Sequence, residues 1–219
     1  MTANARKARG FDYIRDPQAI YALSFERIRA ETDLTGFGEA EARIAVRTVH
    51  ACGNPQVAED LVFNGDVAGV TQKALAVGAP IITDSRMTEA AVIRRNLPGT
   101  AQILCPLTSA ETESAAKAFA TTRSAAAMRQ AAADIPGGVV VIGNAPTALF
   151  SLLELIEEGV APPAALFAFP VGFVGARESK DALIEMAPSC AFVTLRGRLG
   201  GSAIAGAAFN AVFTEERAP

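Results

Sequence analysis

Ile135-Pro136-Gly137-Gly138-Val139-Val140-Val141-Ile142-Gly143-Asn144-Ala145-Pro146-Thr147-Ala148-Leu149-Phe150 decides the fold. It lies in an uncharged run, residues 135 to 153, and a second such run covers residues 159 to 176. Each approaches the ~20 residues that span a bilayer. Gly137, Gly138, Gly143, Asn144 and Pro146 interrupt the first, and Pro162, Pro163 and Pro170 interrupt the second. A lipid-exposed helix would leave backbone groups unpaired at those breaks. A strand buried on both faces, followed by a glycine-rich turn into a helix, accounts for the same residues without that cost.

Five further apolar runs repeat the pattern: Leu61–Phe63, Pro80–Thr83, Ala101–Leu104, Ala165–Phe169 and Ala191–Leu195. Each is short, bounded by Gly, Pro or Asn, and followed by a helix-like stretch. Continuous apolarity rather than alternation suits a parallel sheet covered on both faces, so residues 56 to 214 read as one doubly wound α/β domain. Residues 13 to 55 read as a helical extension. Asp16-Pro17 caps a first helix with Ile20, Leu23 and Ile28 on its core-facing stripe, and a second helix runs from Gly38 to Cys52-Gly53. Residues 1 to 12 read as a flexible N-terminus. Thr121-Thr122-Arg123-Ser124 reads as a break between two helices.

Composition narrows function. With 20 Lys and Arg against 23 Asp and Glu, the net charge is −3, which argues against a dedicated nucleic-acid binder. One His and no Trp exclude a His-rich zinc site. Cys52, Cys105 and Cys190 lack CxxC spacing and read as reduced, intracellular thiols. No apolar signal segment follows Arg6, Lys7 and Arg9, so the expected location is the cytoplasm, with no membrane span. The chain has no GxGxxG, GxxxxGK[ST] or GxSxG motif.

Open parallel sheets bind ligands beyond the carboxyl ends of their strands. The loops there carry Arg86, Asn144, Thr147, Arg196 and Arg198, with Arg123 at the helix break and Lys180 further on. Small residues, helix starts and local cations suit a large anionic ligand. His50, in the last turn of the second helix, shares a face with Arg43 and Arg47; it reads either as a helix-terminal cation or as a general acid or base. Ser24 reads either as a hydroxyl bonded to a carbonyl one turn back or as one aimed into a pocket.

Tyr21-Ala22-Leu23-Ser24-Phe25, Val49-His50-Ala51-Cys52-Gly53, Thr83-Asp84-Ser85-Arg86-Met87 and Thr122-Arg123-Ser124 stand in this order. Gly143-Asn144-Ala145-Pro146-Thr147-Ala148-Leu149 and Pro170-Val171-Gly172-Phe173-Val174-Gly175-Ala176-Arg177-Glu178-Ser179-Lys180 follow them. From about Tyr13 to Asn210 the chain resembles the precorrin-8X methylmutases of cobalamin biosynthesis. The resemblance implies a flavodoxin-like three-layer α/β/α domain with a parallel sheet and an N-terminal helical extension, in a homodimer with active sites near the subunit interface. It implies migration of the methyl on C-11 of precorrin-8X, a tetrapyrrole polycarboxylate, to C-12, with no cofactor and no metal. His50 matches the family's catalytic His, Ser24 its substrate-contacting Ser and Arg123 its basic residue; Arg86, Asn144, Thr147 and Arg196 are expected to help hold substrate. His50 is expected to face the cavity at the strand carboxyl ends. The alternatives are a cobalt-precorrin-8 methylmutase and a non-catalytic tetrapyrrole carrier.

Overall fold

In the computed structural model, which describes residues 11–99 and 101–214, all six apolar runs form strands of one sheet. They are β1 (Leu61–Asn64), β2 (Ile81–Thr83), β3 (Ile103–Leu104), β4 (Val139–Ile142), β5 (Ala165–Ala168) and β6 (Ala191–Leu195). Every residue of β4, β5 and β6 is buried, as continuous apolarity requires. The sheet order is β1-β6-β5-β4-β2-β3. Without β1 this is the flavodoxin order, with the change of winding direction between β2 and β4.

The sheet departs from the expected all-parallel arrangement at one edge. β1 pairs antiparallel with β6, Leu61 opposite Leu195 and Asn64 opposite Phe192. A three-residue apolar run carries no information on direction. Here direction follows from where the chain emerges, after a short 3-10 turn at Pro55–Asp60 that leads out of the preceding helix.

Nine helices lie among the described residues: α1 (Pro17–Glu31), α2 (Glu39–Cys52), α3 (Val67–Ala76), α4 (Arg86–Ala91), α5 (Ala110–Ala118), α6 (Arg123–Gln130), α7 (Pro146–Glu157), α8 (Ala176–Met186) and α9 (Ser202–Asn210). Alternate strand residues feed two cores. Val139, Val141, Phe167 and Val193 pack with Ile44 and Val49 of α2, Leu75 of α3 and Phe209 of α9. Val140, Ile142, Leu166 and Phe192 pack with Met128 of α6, Leu149 and Leu152 of α7 and Leu183 of α8. The outcome is the three-layer α/β/α architecture. α2 is built into one layer, whereas α1 lies outside it and contributes no fully buried residue. The N-terminal segment expected to be flexible lies, up to residue 10, outside the described residues.

The winding change is closed by a carboxylate. Asp84, directly after β2 and only 2% exposed, accepts hydrogen bonds from the backbone N–H groups of Gly143 (3.0 Å), Asn144 (2.8 Å) and Ala145 (2.7 Å), and from the Thr88 hydroxyl (2.8 Å). Thr88 thereby spends its one proton. The hydroxyls of Ser85 and Ser202, each 2.9 Å away, then donate to its lone pairs. Gly143 is required here, because a Cβ would stand 2.7 Å from Cα of Ser202 and 2.8 Å from the Thr88 hydroxyl oxygen. Asp84→Ala strands three N–H groups, each worth about 1–3 kcal/mol when left unpaired. Urea denaturation is therefore expected to show a loss of about 3 kcal/mol or more; a loss under about 1 kcal/mol would contradict this role for Asp84.

Candidate active site

α1 and α2 end and begin where their caps dictate. The Asp16 side chain accepts from the N–H of Gln18 at 3.1 Å, and Pro17 occupies the first helical position. The Glu41 carboxylate accepts from the N–H of Gly38 at 2.8 Å, and Gly53, with φ 65°, ends α2 by donating to the carbonyl of Val49 at 2.8 Å. That stop leaves His50 in the last turn, where Val46 and Val49 turn inward and His50 points away from the core.

The two helices pack so that the Ser24 hydroxyl lies 3.1 Å from Nδ1 of His50. Neither expectation for Ser24 as a carbonyl-bonded hydroxyl, nor for His50 as a solitary helix-terminal residue, describes this pair. The imidazole also stacks on Phe25, centroids 4.9 Å apart at 18°, and meets the edge of Tyr21 at 6.1 Å. One nitrogen and one ring face are thus fixed, while Nε2 has no hydrogen-bond partner among the described residues. Partial burial, and secondarily the nearby charge of Arg47, hold the His50 pKa below the usual imidazole value and so favour the neutral ring.

A cleft of about 420 Å³ opens beside the pair, lined by Ile20, Leu23, Ser24, Arg27, Ile28 and Glu31 of α1, by Val49 and His50 of α2, and by Ile14, Gly53 and Pro55. The stripe expected to be buried is partly open: Ile20 is 47% exposed and Leu23 and Ile28 are half-buried. Among the described residues α1 packs on α2 and contributes no fully buried residue.

The remaining site candidates lie elsewhere. Thr122 caps α6, accepting from the N–H of Ala125 at 3.1 Å, so the helix break stands as expected. Its hydroxyl is 2.8 Å from that of Thr147, and Arg123 donates to the carbonyl of Leu107 at 3.0 Å. Asn144 is half-buried, with its N–H on Asp84. Arg86 and Arg196 are exposed. None of Arg86, Arg123, Asn144, Thr147 and Arg196 lines the His50 cleft. Within one chain, therefore, the His50 cleft does not include these strand-end residues. Lys180 does not reach a rim at all. It is fully buried beneath the loop after β6, donates to the carbonyl of Leu199 at 2.5 Å, and burial pushes its pKa down to about 8 against the opposing pull of Asp181 and Asp60.

Three residues that the sequence reading named without assigning to the site lie against His50. Tyr21 and Phe25, one turn apart on α1, and Arg47, one turn before His50, form a single cluster: the rings are 4.5 Å apart and the Arg47 guanidinium lies over both. The i, i+4 aromatic pair was a visible signal, but its partner helix was not. Among the described residues no cluster of His, Cys, Asp and Glu could hold a metal ion, and no helix is long and apolar enough to cross a membrane.

Fold and cleft together define a class: a flavodoxin-type α/β protein, extended by a helix pair that holds a hydroxyl–imidazole couple. Comparison with known proteins places it more narrowly. The precorrin-8X methylmutase family profile matches residues 19–215. A precorrin-8X methylmutase of Sinorhizobium sp is 48% identical over 202 residues, 92% of this chain and 96% of its own. A cobalt-precorrin-8 methylmutase of Priestia megaterium is 34% identical over 197 residues, 90% of this chain and 87% of its own. The crystal structure of the precorrin-8X methylmutase from Thermus thermophilus superposes with a TM-score of 0.79 at 33% identity, covering 90% of this chain and 94% of that one. The chain belongs to the precorrin-8X methylmutase family, a family of isomerases.

Because His50 is the sole imidazole, its titration is readable without assignment. An NMR titration is expected to give a midpoint below the ordinary value of about 6.5. The native state then binds this proton less readily than the unfolded chain, so stability falls as pH is lowered through that window. A midpoint at or above the ordinary value would contradict the burial and Arg47 effects.

Proposed function

We propose that this chain moves the methyl on C-11 of precorrin-8X to C-12, giving hydrogenobyrinic acid, at a site built around His50. The observation that carries the reading is the Ser24–His50 couple at 3.1 Å, set in a cleft between α1 and α2 of a chain of this family. The reaction is intramolecular: one C–C bond breaks, one forms, and no electrons leave the substrate. A sigmatropic shift of this kind needs the macrocycle held in a productive shape and a proton supplied or removed where basicity changes. A neutral imidazole bonded at Nδ1 serves that purpose. The Ser24 hydroxyl both donates and accepts, so it complements either tautomer while Nε2 exchanges the proton with the ring.

The higher identity to the metal-free mutase, 48% against 34%, supports precorrin-8X as substrate over its cobalt form. A homodimer is the second part of the proposal. Tyr21 and Ile20, 45% and 47% exposed on α1, leave an apolar face open among the described residues. A second copy seated there would cover it and bring the loops with Arg86, Arg123, Asn144, Thr147 and Arg196 over the His50 cleft, where those residues would hold substrate carboxylates. The net charge of −3 supports a protein with no nucleic-acid partner, and three cysteines without CxxC spacing support a cytoplasmic enzyme.

His50→Ala is expected to lower kcat by roughly 10²–10⁴-fold with a much smaller change in KM, as loss of an acid–base group does. Ser24→Ala is expected to lower kcat by roughly tenfold, the value of about one hydrogen bond. Both are followed by the visible spectrum of precorrin-8X during turnover. Full turnover by the alanine variant at position 50 would sink the assignment. KM is also expected to rise with ionic strength, since the contacts are between charges.

A further inference from the structure

Lys180 is the one buried cation among the described residues, and it lies outside the His50 cleft. It projects from the second turn of α8, and its ammonium donates to the carbonyl of Leu199 at 2.5 Å. That carbonyl is its one hydrogen-bond acceptor among the described residues, and no carboxylate there comes within ion-pair distance; Asp181 and Asp60 act on it from further away. Burying an ammonium without a paired acid is unfavourable, and an apolar side chain of similar length would fill the same space without that penalty. Packing alone therefore does not call for a charge at this position.

The acceptor gives the charge a use. Leu199 belongs to the loop after β6, residues 196–201. At the start of the loop the N–H of Arg196 donates to the carbonyl of Asp60 at 2.8 Å, and at its end the N–H of Gly201 donates to the carbonyl of Phe169 at 2.8 Å. Between these backbone anchors Gly197, with φ 76°, turns the chain, and Lys180 is the only side chain among the described residues that hydrogen-bonds to the middle of the loop. Gly200 presses on the neighbouring turn, where a Cβ would collide with the carbonyl oxygens of Phe169 and Pro170. Arg196 and Arg198 stand exposed on the loop so held, the Arg198 guanidinium carbon 5.4 Å from the Phe173 centroid. A charge-assisted bond to a peptide oxygen is short and strong, so it fixes the peptide between Leu199 and Gly200 more firmly than a neutral donor would.

We propose that Lys180 is a positioning residue, which sets the course of the loop after β6 so that Arg196 and Arg198 present their guanidinium groups to substrate carboxylates. The proposal rests on reading this loop as part of the substrate site, as given above for Arg196. A guanidinium on a fixed loop loses less freedom on binding than one on a loop that moves, so the benefit falls on affinity and not on the methyl shift itself.

The test follows turnover of precorrin-8X by its visible spectrum. Lys180→Met removes the donor and the charge and keeps the length of the side chain. It is expected to raise KM roughly tenfold with kcat within about threefold. The variant with both Arg196→Gln and Arg198→Gln is expected to have a raised KM of its own. Adding Lys180→Met to it is expected to change KM by less than about threefold, because the groups that Lys180 positions are then gone. Gly200→Ala displaces the same loop from its other side and is expected to show the same KM rise and the same loss of effect in the arginine-free background; it carries the test if Lys180→Met fails to fold. The proposal is overturned if Lys180→Met leaves KM unchanged, whatever its urea midpoint, if it lowers kcat alone, or if it raises KM equally with and without the two arginines. An unchanged KM on loss of both arginines overturns it as well, by removing the loop from the site. Any of these results alongside an inactive His50→Ala leaves the His50 site standing; an active His50→Ala removes that site itself.

Discussion

The carboxylate of Asp84 gathers three consecutive backbone N–H groups at the point where the sheet changes its winding direction. Much of the architecture depends on that contact. It ties the end of β2 to the turn that launches α7, and through Thr88 and Ser202 it also ties in the starts of α4 and α9. Four elements from distant parts of the chain therefore meet on one buried acid, whose cost of burial is offset by the number of donors it collects. The same contact decides what the crevice does. In sheets of this winding the N–H groups at a helix start are free to receive a ligand's phosphate. Here they are filled by a side chain, so the crevice is a structural joint, and what the Gly143–Thr147 loop offers a ligand is side chains rather than backbone donors.

With that position closed, the hydroxyl–imidazole couple lies further out, on the two N-terminal helices. α2 is anchored by Ile44, Val46 and Val49 in the core, and its glycine stop presents His50 at a defined place. α1 is held far less firmly. It has no fully buried residue, and its attachment to α2 runs through Ser24, Phe25 and Tyr21, the residues that surround the imidazole. The electrostatics agree with a neutral, orientable His50: partial burial and the Arg47 charge both disfavour the imidazolium, and the serine satisfies whichever state Nδ1 takes.

Several features were legible in the residues before any coordinates. Continuous apolar runs identified all six strands; β2, β4, β5 and β6 are buried throughout, whereas the edge strands β1 and β3 are only partly covered. Asp16-Pro17, Gly53 and Thr122 marked helix ends by local chemistry alone, since a cap needs only its own side chain or backbone freedom and the nearest turn. The family was legible as well, because its motifs are ordered segments of chain.

What the sequence could not contain was any relation that depends on elements meeting in space. Nothing in Leu61–Phe63 specifies a direction, so the antiparallel pairing of β1 followed from its place at the edge next to β6. Lys180 looked like one more cation near a ligand, and only the loop folded over it made it a buried donor to Leu199. The apolar stripe of α1 promised burial, yet stripe and covering surface are separate facts, and among the described residues the stripe is only partly covered. Ser24 and His50 stand 26 residues apart, and their bond exists because two helices cross. Local periodicity and capping are properties of neighbouring residues and can be read in order along the chain. Pairing, burial and the geometry of a site arise from long-range packing, where the reason for a residue's role lies in a segment the local pattern never mentions.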